Sequence, residues 1–136
     1  IMYDTDYGFS SAGQNTVYEH LNPAGTGSGD AFSTKMINGL LKNPEFKEQF
    51  IRRIAWQINN IWTEENVNAR IDELESLIAH DMIRDCVKRE KNYSHWQRYV
   101  ASLRTFAPAR NKQLPKLVQQ YFGLTDDQMR GYGFVI

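Results

Sequence analysis

From Phe32 to Phe122 the apolar residues of this chain return with a helical period, and no stretch there alternates as a half-buried strand does. That constraint decides most of what the chain can fold into. Phe32, Met36, Ile37, Leu40 and Leu41 mark a first short helix, closed by Lys42-Asn43-Pro44. Asn43-Pro44-Glu45 then restarts the chain, with an Asn cap, Pro in the first helical position and an acid in the first turn. The helix it opens carries Phe46, Phe50, Ile54, Ile58 and Ile61 on one stripe, with Arg52, Arg53 and Gln57 off it. Thr63-Glu64-Glu65 begins another, whose stripe is Val67, Ile71, Leu74, Ile78 and Met82 and whose polar tail is Lys88 to Asn92. Ser94 and Gln97 have the capping-box spacing, ahead of Trp96, Val100, Leu103 and Phe106. Pro108 is expected to interrupt that helix, and Pro115 to lie near the start of the last one, which buries Leu117, Val118, Tyr121 and Phe122 and stops at Gly123. Thr125 to Gln128 caps one more turn, and Gly131 to Ile136 reads as a strand leaving for another domain. Every stripe has a plain explanation as core.

The first nine residues read differently, as a short strand that ends at Asp4 and Asp6. Ser10 to Asp30 is rich in Gly, Ser, Asn, Pro and Thr, which makes it irregular loop. The expected class is therefore mainly α: about five helices preceded by a short strand and a Gly-rich loop. The expected division is residues 1–30 for the motif and loop, 31–124 for the helical body, and 125–136 for an extension leading to a further domain. The 136 residues suffice for one core, and an opening in mid-strand at Ile1 is expected of a piece of a longer protein. Sixteen basic residues balance sixteen acidic ones, so charge gives no argument for nucleic acid or a membrane surface. Cys86 stands alone, which excludes an internal disulfide, and no apolar run approaches the roughly 20 residues of a membrane span.

Among residues that could carry chemistry, Asp4 and Asp6 come first. A bend at the strand end is expected to bring both carboxylates to one hard cation, and two acids with a few phosphate oxygens suit octahedral Mg²⁺. By spacing alone, a pair of turn-forming aspartates is the plainer reading. An EF-hand loop fails, because its Gly would fall at Phe9 and its closing Glu at Asn15. The run Gly25 to Gly29 precedes a helix but lacks the Lys-Ser/Thr ending of a phosphate loop, and reads as flexible linker. His20, His80, His95 and Cys86 lack the spacing of zinc ligands, and Cys86 reads as a small buried or half-buried side chain. No Asp or Glu stands between Lys91 and Thr125, where Arg98, Arg104, Arg110, Lys112 and Lys116 are interleaved with aromatic residues. The preceding helix holds Asp72, Glu73, Glu75, Asp81 and Asp85. Antiparallel packing of these two helices compensates both charges, and explains the basic stretch better than nucleic acid does.

Two stretches together resemble a known family. "IMYDTDYGF" is similar to the strand and Asp-x-Asp-aromatic-Gly segment of the spore coat protein H (CotH) kinase-like family. "LLKNPEFKEQFIRRIAWQINNIWTEENVNARIDELESLI" resembles the helices that follow there, and "LRTFAPAR" and "QQYFGL" its closing helices. The resemblance implies an atypical protein kinase, secreted or associated with the cell envelope, with a kinase-like fold whose helical C-lobe this segment supplies. It implies ATP with Mg²⁺ or Mn²⁺, and a protein substrate whose hydroxyl accepts the phosphoryl group. Asp4 then matches the metal-binding aspartate, the role the DFG aspartate plays in ordinary kinases, and Asp6 adds a ligand or orients the first. The family's nucleotide-binding lobe and catalytic loop precede this segment and are missing here, so the segment alone is expected to be inactive. Gly25 to Gly29 falls after the metal motif and is not the family's phosphate loop. Asp85 and Glu90 stand where relatives tend to show His and Trp. Two other readings compete: a glycosyltransferase, whose Asp-x-Asp also holds a divalent ion, and a helical interaction module without catalysis.

Overall fold

Short polar side chains decide where the helices of this chain start. The structure, a computed structural model, describes Phe9, residues 11–22 and residues 31–136. Among them are six helices: α1 (Thr16–Leu21), α2 (Ala31–Leu40), α3 (Pro44–Asn60), α4 (Glu64–Lys88), α5 (Tyr93–Phe122) and α6 (Asp126–Gly131). The molecule is mainly helical, as its periodicity requires. Asn43 Oδ1 accepts from the Glu45 and Phe46 amides at 2.9 and 3.2 Å, with Pro44 in the first position of α3. Thr63 Oγ1 accepts from the Asn66 amide, and Thr125 and Gln128 form a reciprocal capping box on α6. Gly123 ends α5 at φ 64°, in the left-handed region that Gly enters without a Cβ penalty.

Four expectations change. Helix α1 lies inside the stretch read as irregular, started by Asn15, whose Oδ1 accepts from the Tyr18 amide. The cap of α5 is Asn92, not Ser94, which sits inside the first turn and donates its own amide to Asn92 Oδ1 at 2.9 Å. Pro108 does not divide that helix. The 30 residues of α5 run unbroken through Pro108 and Pro115, because the flanking Ala107 and Val118 and Pro115 itself are buried and hold the helix by packing. Gly131 to Ile136 forms a turn rather than a strand, and Phe134 is driven into the core. Its amide donates to Met129 O at 3.1 Å, while Asn59 and Arg52 of α3 donate to the carbonyls of Gly133 and Gly131, both at 2.7 Å. The expected strand at 1–9, except Phe9, and the Gly-rich run 25–29 lie outside the described residues.

The core gathers Val17 of α1, Ile51, Ala55 and Ile58 of α3, Val118 of α5, Met129 of α6, and Phe134. The first half of α5 is not part of it. That half turns back along α4 across the short connection 89–92, as an antiparallel hairpin. Arg104 donates to Asp72 and Glu75, each at 2.6 Å, so the basic helix and the acidic one neutralise each other here. Cys86 is buried. The α4 stripe read as core is only half covered: Leu74 and Ile78 stay exposed by nearly half. One partner helix can cover only one side of α4. No helix among the described residues is long and apolar enough to cross a membrane.

Two stability measurements follow from this packing. Ile51→Ala should cost about 2–5 kcal/mol in chemical denaturation, whereas Leu77→Ala, at a position 68% exposed, should stay within about 0.5 kcal/mol of the parent. Burial, with a contribution from Tyr18, raises the Tyr121 phenol above its ordinary value of 10. Above pH 10 the unfolded chain releases this proton while the folded chain keeps it, so stability falls as pH rises further. Tyr121→Phe should flatten that alkaline slope, as read by denaturant titrations across pH 9 to about 11.5.

Candidate functional site

The side of α5 that faces away from the acidic helix carries Phe106 and, one turn later, Arg110, a spacing that places them on one face. Both hold the chain that follows the two N-terminal aspartates. Phe9 packs its ring on Phe106, with centroids 4.6 Å apart, and on Trp62, at 5.9 Å. Its backbone is left-handed, φ 62°, a conformation that costs a bulky residue roughly 1–2 kcal/mol. Tilted aromatic pairs contribute about 0.5–1.5 kcal/mol each beyond burial, enough to offset that strain.

Arg110 supplies the second anchor. Its guanidinium donates to Ala12 O at 3.0 Å, to Gln14 O at 2.6 Å and to Thr16 Oγ1, at the start of α1. Burial pulls this guanidinium below the usual arginine range, and the charge of Glu19 pushes it back up. Glu19 in turn accepts from the Gln14 side chain at 2.7 Å, so Gln14 is held at both ends. Trp62, at the corner between α3 and α4, is fixed from α5 as well: Asn111 Nδ2 donates to its carbonyl at 2.6 Å.

Between these anchors and α3 opens a cavity of about 460 Å³, lined largely by apolar and aromatic side chains, among them Phe9, Phe50, Ile54, Trp62, Phe106 and Leu114. A volume of that order lies within the range of small-molecule pockets. Arg53, at its edge, lays its guanidinium over the Trp56 ring, 4.2 Å from the centroid.

Asp4 and Asp6, the candidate metal ligands, lie outside the described residues. Phe9, three positions after Asp6, is where the structure takes up their segment. His20, His80 and His95 are exposed and Cys86 is buried, and no group of three or more His, Cys, Asp or Glu among the described residues is placed to hold a metal ion. Sequence reasoning missed the anchors. Arg110 entered it only as one member of a basic stretch, although an arginine one turn from Phe106 on an apolar face was a signal to weigh.

Phe9→Ala should speed amide hydrogen exchange over residues 11–16 by about five- to 150-fold, the loss expected of the two ring pairs, and leave the α3 core unchanged. Exchange mapped by mass spectrometry reads both regions at once.

A family model described as CotH kinase protein matches residues 1–114, from before the two aspartates to Leu114 of α5. No curated protein and no solved structure matches the chain.

Proposed function

The chain belongs to the CotH kinase family, and from that premise we propose that it carries the metal-holding side of an ATP-dependent protein kinase. The observation that carries this reading is the family match itself, which includes Asp4 and Asp6 and the whole of α1 to α4. The chemistry of the donor set agrees. Two carboxylates make a hard, oxygen-only site suited to Mg²⁺ or Mn²⁺ shared with nucleotide phosphates. The bound ion supplies neutralisation of the charge that develops on a transferring phosphoryl group.

The rest of the chain serves position. Phe9 and Arg110 fix the residues that follow the motif, and covalent reach keeps Asp6 within about 11 Å of Phe9. In this reading the fold of the whole protein is kinase-like, with this chain as its helical C-lobe. Residues 1–30 carry the motif and its loop, 31–124 are the support, and 125–136 form an extension docked through Met129 and Phe134. The acceptor is a hydroxyl of a protein substrate, and the protein is secreted or sits in the cell envelope. The family match favours this over a glycosyltransferase use of the same Asp-x-Asp pair. The half-open flank of the hairpin at Leu74 and Ile78 is what supports the competing reading, a non-catalytic helical interaction module.

Transfer of radiolabelled phosphate from ATP by the full-length protein tests the reading. Asp4→Ala should reduce transfer to background, and an unaltered rate would remove Asp4 from the metal site. In this reading residues 1–136 alone should show no micromolar Mg²⁺-ATP binding in titration calorimetry. Micromolar binding would place the nucleotide site within this chain instead.

A further inference from the structure

We propose that the cavity between α3, α5 and the anchored chain at Phe9 and residues 11–16 is a binding site for a small aromatic carboxylate. Its ring system lies among Phe9, Phe50, Trp62 and Phe106, and its carboxylate meets Arg53 and Gln57 of α3. The site is independent of the metal motif and of the kinase reading.

A fold that had only to be stable would close this space. Protein interiors are packed like organic crystals, with few voids larger than a water molecule, and about 460 Å³ of largely apolar space is far above that. The residues around it are held so as to keep it open. Phe9 takes a left-handed backbone, φ 62°, and commits its ring to Phe106 and Trp62, which makes it wall rather than filling. Trp62 lines the cavity while 42% exposed, so solvent reaches the site. Strained backbone of this kind gathers at ligand clamps, and here the inference runs from the observed outlier to the site.

The lining sets the class of ligand. Four aromatic side chains surround one space, and offset or edge contacts to a further ring suit a flat aromatic body better than a flexible alkyl chain. The polar members set the charge: among the described lining residues are two arginines and no Asp or Glu. Arg110 is already engaged, since it donates to Ala12 O, Gln14 O and the Thr16 hydroxyl, and the charge of Glu19 acts on it. Arg53 makes no ion pair among the described residues and lies on the Trp56 ring, 4.2 Å from its centroid. Stacking occupies the face of a guanidinium and leaves the N–H fork at its edge to meet a carboxylate. Gln57, one turn further along α3, lines the same cavity with a side-chain amide that has no hydrogen-bond partner among the described residues. One cation and one amide donor match a single carboxylate rather than a doubly charged phosphate.

Titration calorimetry on the full-length protein tests the site, with naphthoate as probe and the neutral naphthylmethanol as its counterpart. Naphthoate should bind saturably with a Kd of about 0.1 mM. Naphthylmethanol should bind about two- to fivefold more weakly, the worth of one ion pair at a solvent-exposed rim. Arg53→Gln should bring naphthoate down to the level of the alcohol and leave the alcohol unchanged, and raised ionic strength should act in the same direction. Ile54→Phe, which puts a ring into the cavity, should abolish binding of both probes in a protein that still unfolds cooperatively. If that variant does not fold, the Arg53→Gln comparison decides alone. Absence of saturable naphthoate binding overturns the proposal. Equal affinity for acid and alcohol, or unchanged naphthoate affinity in Arg53→Gln, overturns the assignment of a carboxylate. Decanoate binding as tightly as naphthoate overturns the aromatic body.

Discussion

The continuity of α5 is what the rest of the molecule depends on. Its first half has α4 for a neighbour, and its second half lies in the core with α1, α3 and α6. Each proline inside it removes one helical hydrogen bond, so the carbonyls of Arg104 and Asn111 lose their i+4 donors at Pro108 and Pro115. Two broken rungs would divide an isolated helix. Here burial of Ala107, Pro115 and Val118 holds the axis together, and the penalty is absorbed by packing. Without that continuity the hairpin would be a separate body, and the anchors at Phe106 and Arg110 would sit at a joint.

Much of the fold was legible because helix starts have a side-chain signature. Asn43-Pro44, Thr63 and the Thr125/Gln128 pair could be placed by the chemistry of orphan amides alone. Where two capping residues lie close together, that chemistry does not choose. Asn92 and Ser94 are both good caps, and Asn92 wins because the chain has already turned, the Lys91 amide closing on Cys86 O at 2.8 Å. Helix α1 was hidden for a related reason. Six residues are too few to show a period, and they stand in a neighbourhood whose composition reads as loop. Pro108 was misjudged because local rules see the lost hydrogen bond and not the burial around it.

Asp4 and Asp6 were picked out by residue type and lie outside the described residues, while the anchors around Phe9 and Arg110 were illegible. Asp4 and Asp6 stand out because two acids at the end of an apolar run are uncommon and have a chemistry of their own. The partners of Arg110 are backbone carbonyls of Ala12 and Gln14, which leave no mark on the sequence. Phe9, following Asp6, Tyr7 and Gly8, carried no signal of its own in the sequence; its pairing with Trp62 and Phe106 joins residues about 50 and 100 positions away, which periodicity cannot report.

Because Arg110 grips peptide oxygens, it reads the length of the loop and not its letters. The side chain at position 12 is free to drift over evolutionary time, so long as no change forbids the backbone its turn. One residue gained or lost between Phe9 and Thr16 is another matter, since it would present the fork with the wrong peptide groups and shift the register of everything before it. The loop is therefore a ruler: tolerant of substitution, intolerant of insertion, and marked off against a single helix face.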